Sequence, residues 1–116
     1  MRSDRMRRVD EGVRQVLSDA LVEVKDPRVG FVTVTAVETS PDLRHAKVFV
    51  SVLGDDGLKR RTLAGLQSAH GFLQRRVAHE LHLKHTPTLE FSYDDSVDRS
   101  LRIGVLLEEH EKESPE

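Results

Sequence analysis

Residues 26–54 read DPRVGFVTVTAVETSPDLRHAKVFVSVLG, two β-rich runs joined by a turn at Ser40-Pro41-Asp42. This stretch constrains the fold more than any other. In the second run Ala46, Val48, Val50 and Val52 alternate with Lys47 and Ser51. Period-two alternation puts one face of a strand against a core and leaves the other to water or a partner. Pro41 presets φ for a turn, and Asp42 is able to bond the local backbone. The expectation is an antiparallel hairpin with one covered face, and the rest of the chain has to provide the cover.

A helix before the hairpin fits that need. Met6, Val9, Val13, Val16, Leu17, Ala20, Leu21 and Val24 recur at spacings of three and four, an apolar stripe of helical period. Arg7, Arg8, Arg14, Asp10 and Glu11 fall on the opposite, solvent-facing side. Ser3 or Asp4 serves as a cap, and Pro27 predicts an end near Lys25. After the hairpin, a helix is predicted from Leu58, with Leu63, Leu66 and Ala69 on one face. A second apolar set, Leu73, Val77 and Leu81, comes after the interruption Ala69-His70-Gly71. A glycine within a helical run costs about 1 kcal/mol against alanine, so Gly71 marks a bend or a close approach between two helices. Thr86-Pro87 stops the second of these helices, and Leu89, Phe91 and Tyr93 alternate as a third strand. Asp94-Asp95-Ser96 caps a last helix carrying Val97, Leu101 and Val105.

With 116 residues the chain suffices for one domain with its own core. It has no cysteine, which excludes thiolate metal sites, disulfides and thiol redox chemistry. No apolar run approaches the ~20 residues needed to span a bilayer, and MRSDRMRR at the start lacks the apolar segment of a secretory signal. These features predict a cytoplasmic protein with an intracellular partner and no membrane contact. Of 18 bases and 20 acids, residues 108–116 hold one base and five acids, leaving 17 bases against 15 acids in residues 1–107. The domain, residues 1–107, is thus mildly basic, and 108–116 form an acidic tail whose composition predicts disorder.

The element order α-β-β-α-α-β is that of a type II KH domain, an α+β single-stranded nucleic-acid module with a three-stranded sheet. Over residues 5–107 the chain also resembles the bacterial ribosome-binding factor A family. The resemblance rests on the hairpin segment, on Ala69-His70-Gly71, and on LQRRVAHELHLKHTPTLEFSYDDSVDRSLRI. It implies a KH-like fold in which an Ala-x-Gly interhelical kink replaces the usual Gly-x-x-Gly loop. It further implies a cytoplasmic factor, monomeric and without cofactor. Such a factor binds the small (30S) ribosomal subunit and its 16S rRNA and assists late maturation and processing of that RNA, notably in the cold. A GTPase that releases the factor is the expected partner.

Gly54-Asp55-Asp56-Gly57 is a literal Gly-x-x-Gly, but it comes after a strand, and its aspartates would repel phosphate where a clamp needs amides or cations. It reads as a solvated turn. The rRNA-binding candidates are Arg5, Arg7 and Arg8 at the start of the first helix, Arg44 and Lys47 in the second strand, and Arg75, Arg76 and Lys84 in and after the third helix. Lys59, Arg60, Arg61 and His85 are further basic groups. Arg75 and Arg76 lead, since the matched kink places them just beyond the joint. Most of the five rings, Phe31, Phe49, Phe72, Phe91 and Tyr93, have the periodicity of core residues, so recognition by RNA shape and backbone is expected over base stacking.

Catalysis finds no support. His79-Glu80-Leu81-His82 misses the HExxH spacing by one residue. His79, His82 and His85 read as ordinary surface histidines, and Asp94, Asp95 and Asp98 as helix-capping acids. No P-loop, Gly-x-Ser-x-Gly elbow or dinucleotide fingerprint is present. Two alternatives of other classes stay open: a generic single-stranded RNA-binding KH-like module, and a protein-interaction adaptor working through helix faces and the tail.

Overall fold

The protein is described from a computed structural model covering residues 2–94. The predicted last helix and the acidic tail lie outside the described residues.

The elements come in the expected order: α1 Asp4–Leu21, β1 Val32–Thr39, β2 His45–Val52, α2 Asp56–Ser68, α3 His70–Leu81 and β3 Thr88–Tyr93. The sheet order is β1-β2-β3, antiparallel between β1 and β2 and parallel between β2 and β3. Ser3 caps α1 through its side chain, which accepts from the Met6 N–H at 3.1 Å. Asp55 caps α2 through the Leu58 N–H at 2.8 Å, so the Gly-x-x-Gly turn is spent on starting a helix.

The core is continuous and lies between the inner sheet face and the helices. Val13, Leu17 and Ala20 of α1, Ala46, Val48 and Val50 of β2, Leu66 of α2, and Leu73 and Val77 of α3 are all fully buried. Alternation along β1 changes phase at a bulge. Val34 and Val37, three apart, both point inward because the register shifts between Val34 and Ala36. Thr35, the extra residue, turns its hydroxyl to the Phe49 carbonyl at 3.3 Å and the Asp94 carboxylate at 2.6 Å.

Sheet edges expose unpaired backbone, and β3 is one such edge. Here α3 covers it with side chains. The Gln74 amide donates to the Pro87 carbonyl at 2.7 Å and accepts from the Leu89 N–H at 3.0 Å, as a neighbouring strand would. His70 Nε2 lies 2.9 Å from the Leu89 carbonyl, and its ring meets Phe91 edge-on at 6.3 Å.

Five expectations need correction. Helix α1 ends at Leu21, well before Pro27, because Glu23 and Val24 bond back to Ala20 and Leu21 in tighter i→i−3 turns. Helix α3 ends at Leu81, before Thr86-Pro87, where His82 takes the left-handed conformation at φ 50°. Asp10 does not face solvent: it bonds Arg2 and Thr39 and ties α1 to the end of β1. None of the five rings is fully buried; Phe72 and Phe91 line the core edge, and Phe31 is 99% exposed.

The bend itself is present, at Ala69 between α2 and α3, so the fifth correction concerns only the close approach read at Gly71. A Cβ on Gly71 would meet only the tip of Arg75, at 3.2 Å. A Cβ on Gly65 would stand 2.7 Å from Val29 and 3.1 Å from Arg28 Cβ, so the close approach lies there, where residues 26–31 cross α2. That crossing is pinned by Arg28, which pairs with Asp26 at 2.5 Å and donates to Ser68 at 3.0 Å. The Arg28 side chain and its N–H hold the pKa of the Asp26 carboxyl down to about 2. A lowered folded-state pKa means that this pair favours the folded state above the usual carboxylate range near pH 4 and loses that contribution as pH falls towards 2. Gly71→Ala should leave the melting temperature unchanged or raise it by a few degrees, and Gly65→Ala should lower it, as a thermal melt would read. Equal behaviour of the two would contradict this placement of the close approach.

Candidate nucleic-acid interface

Three chain segments converge at one end of the molecule. The first turn of α1 brings Arg5, the start of β2 brings Arg44 and His45, and the link from α3 to β3 brings Lys84 and His85. Parallel pairing is the reason they meet. His45 stands opposite Thr88, and the Thr88 N–H donates to the Arg44 carbonyl at 2.8 Å, so the beginnings of β2 and β3 lie side by side.

Two adjoining grooves result. One, about 460 Å³, is lined by Arg44, His45, Lys84, His85, Thr86 and Thr88. The other, about 190 Å³, runs from Arg5 past the Pro41-Asp42-Leu43 turn to the same Lys84 and His85. Among the described lining residues Asp42 is the only acid, and its carboxylate is engaged. It accepts from the Ser40 hydroxyl at 2.6 Å and the Arg44 N–H at 3.0 Å, and these bonds lower its pKa. The turn this builds holds Leu43 at φ 59°. The cations are exposed and the grooves open, an arrangement suited to phosphates along a nucleic-acid backbone.

The other candidates are distributed elsewhere. Arg7 is exposed and pairs with Asp4 at 2.5 Å, while Arg8 is exposed along α1. Lys47 lies on the outer sheet face between Glu38 and Glu90 in cross-strand register, with its amine 5.6 Å from the Phe49 ring. Two flanking carboxylates weaken its attraction for an anion. Arg75 and Arg76 do not act as a pair. Arg75 is exposed beside Gly71, whereas Arg76 is tied to Glu23 at 2.6 Å and lies 5.1 Å over the Phe72 ring. That contact raises the Arg76 pKa and lowers that of Glu23, both chiefly through their shared hydrogen bond. Arg76 therefore clamps α3 to the end of α1.

At the kink, Ala69 takes φ −88° and ψ 5°, away from helical values, while Ala69 N–H still reaches the Gly65 carbonyl at 3.0 Å. Ala69 is half-buried and His70 turns inward to β3, so only Gly71 of the three is exposed. His45 is a groove residue that the sequence reading does not single out. Its signal is faint: Arg44-His45 and Lys84-His85 are two cation-histidine pairs, each near the start of a strand. Nothing local says that the strands run parallel. Among the described residues, no three histidines, aspartates or glutamates are placed to hold a metal ion.

Comparison with known proteins bears on the whole domain. The sequence pattern of the ribosome-binding factor A family matches residues 5–107. A ribosome-binding factor A from Halothermothrix orenii is 44% identical over 114 residues, 97% of this chain and 93% of that protein. One from an Anaeromyxobacter strain is 52% identical over 108 residues, 91% of this chain and 78% of that protein. The solution structure of a Thermotoga maritima protein assigned to the same factor superposes with a TM-score of 0.74 at 33% identity, covering 83% of this chain and 92% of that one. A Thermus thermophilus ribosome-binding factor A, fitted as a homology model into a cryo-electron microscopy map of its complex with the 30S subunit, gives 0.62 at 25% identity, covering 74% and 91%. With the expected element order, the kink and these matches in hand, the chain belongs to the ribosome-binding factor A family.

Proposed function

We propose that this protein is a non-catalytic assembly factor of the cytoplasm that binds the free or immature small ribosomal subunit and assists late maturation and processing of 16S rRNA, including at low temperature. The observation that carries the binding surface is the convergence of Arg5, Arg44, Lys84 and His85 on two adjoining grooves with one internally bonded acid. The Thermus relative fitted on a 30S subunit supports the partner. A factor shifts an RNA folding equilibrium only by contacting one conformation better than the others. Backbone-directed cations perform that task without chemistry, which is why no catalytic group is needed. The protein acts as a monomer and needs no cofactor; a ribosome-associated GTPase releases it. Residues 1–107 form the ribosome-binding domain, and 108–116 are an appended acidic tail.

A generic single-stranded RNA module would need an exposed clamp. Asp55 instead caps α2, and His70 of the kink faces β3. Co-sedimentation with purified small and large subunits over a salt series tests the reading. Binding to small subunits that weakens steadily as salt rises is expected, because each neutralised phosphate releases counterions. Equal binding to both subunits, or none to the small one at low salt, would overturn it.

A further inference from the structure

The sheet face turned away from the core presents a ring that packing does not use. Alternation along β2 sends His45, Lys47, Phe49 and Ser51 outward, opposite the buried Ala46, Val48 and Val50. Thr33 and Glu38 of β1, and Thr88 and Glu90 of β3, are exposed on the same side. Phe49 is the only phenyl ring that the strands present there, and it is half-buried. Its register partners are small, Ala36 on β1 and Ser92 on β3, so no bulky side chain stands directly across from the ring on either neighbouring strand.

This face runs into the larger basic groove. His45 and Thr88, register partners at the starts of β2 and β3, line that groove with Arg44 and Lys84. Phe49 lies four residues along β2 from His45, roughly 13 Å. An RNA segment whose phosphates sit in the groove therefore reaches the ring within a few nucleotides. The charges beside the ring decide which part of the RNA it takes. Lys47 has its amine 5.6 Å from the ring centroid, but it stands between Glu38 and Glu90 in cross-strand register. Two carboxylates against one amine disfavour a phosphate here. A base is neutral, and carboxylates accept hydrogen bonds from the amino groups on base edges. An aromatic ring on an open sheet face is a stacking surface for an unpaired base.

We infer, resting on the proposed binding of ribosomal RNA, that Phe49 stacks an unpaired base of the strand whose backbone lies in that groove. The chain has no tryptophan, so Phe49→Trp places a single indole at the platform. Its emission should be strongly quenched when small subunits are added, with wild type plus subunits as the background, and its affinity should match or exceed that of wild type. Phe49→Leu, with its fold checked by a thermal melt, should bind small subunits about tenfold more weakly, the effect of losing one stacked base. The slope of its log affinity against log salt should stay as in wild type, because no phosphate contact is lost. Affinity of Phe49→Leu within about twofold of wild type would overturn the inference and leave ribosomal RNA binding standing. So would indole emission that shifts to the blue without quenching, the sign of an apolar protein contact in place of a base. Wild type that fails to bind small subunits would overturn the proposed function and the inference with it.

Discussion

Replacing Asp10 by alanine should lower the melting temperature by more than 10 °C. The Asp10 carboxylate accepts from Arg2 Nε at 2.7 Å and Arg2 Nη2 at 2.8 Å, and from the Thr39 N–H at 2.8 Å and hydroxyl at 2.7 Å. Thr39 is 2% exposed, at the last position of β1. Without the carboxylate its N–H loses its acceptor where water has little access, which costs about 1–3 kcal/mol. The Arg2 guanidinium, which also donates to the Thr39 carbonyl, loses its counterion in a partly buried site. Together these make roughly 3 kcal/mol, and about 1 kcal/mol shifts the melting temperature of a domain this size by 4–8 °C. Asp10→Asn keeps an acceptor oxygen and should lose less. A thermal melt of the alanine variant within 3 °C of wild type would show that the network contributes little.

The largest effect on binding is expected at the basic end. Arg44→Glu with Lys84→Glu should weaken affinity for small subunits by about a hundredfold at moderate salt. Hydrogen bonds to charged groups contribute about 1.5–3 kcal/mol each, and about 1.4 kcal/mol is tenfold in affinity. Reversal removes two such contacts and puts two carboxylates against phosphate. Both side chains are exposed, so the fold should be indifferent to the change. Arg76→Gln should do the opposite, since Arg76 is occupied by Glu23 and the Phe72 face. It should lower the melting temperature and leave affinity within about twofold of wild type, less than 0.5 kcal/mol. Sedimentation binding curves for the two variants would separate a surface contact from an internal clamp.

The elements are legible in the sequence because each is marked by its own periodicity. Val9, Val13 and Leu17 spell a helix, and Ala46, Val48 and Val50 a strand, whatever lies around them. The Ser3 and Asp55 caps and the turn at Pro41 are equally local. Features that the residues alone do not disclose depend on partners distant in the chain. Asp10 looks like a solvent-facing acid on a helix until the end of β1 is set beside it. Gly65 looks like an ordinary helical glycine until residues 26–31 cross it, and Gly71 draws attention only through its place in the kink. The proposed interface is legible in its residue types and not in its grouping. Arg5, Arg44 and Lys84 stand out as cations, but their meeting depends on the parallel register of β2 and β3. Arg76 can be told from Arg75 only once Glu23 is in place beneath it.

The most direct measurement is the slope of log affinity for small subunits against log salt, for wild type and for Arg44→Gln with Lys84→Gln. If these two side chains contact phosphates, the neutral variant should lose roughly 1.4–1.8 from the magnitude of that slope, the difference for two phosphate contacts. An unchanged slope, with the variant folded and binding as wild type does, would contradict the assignment of this end of the molecule to ribosomal RNA.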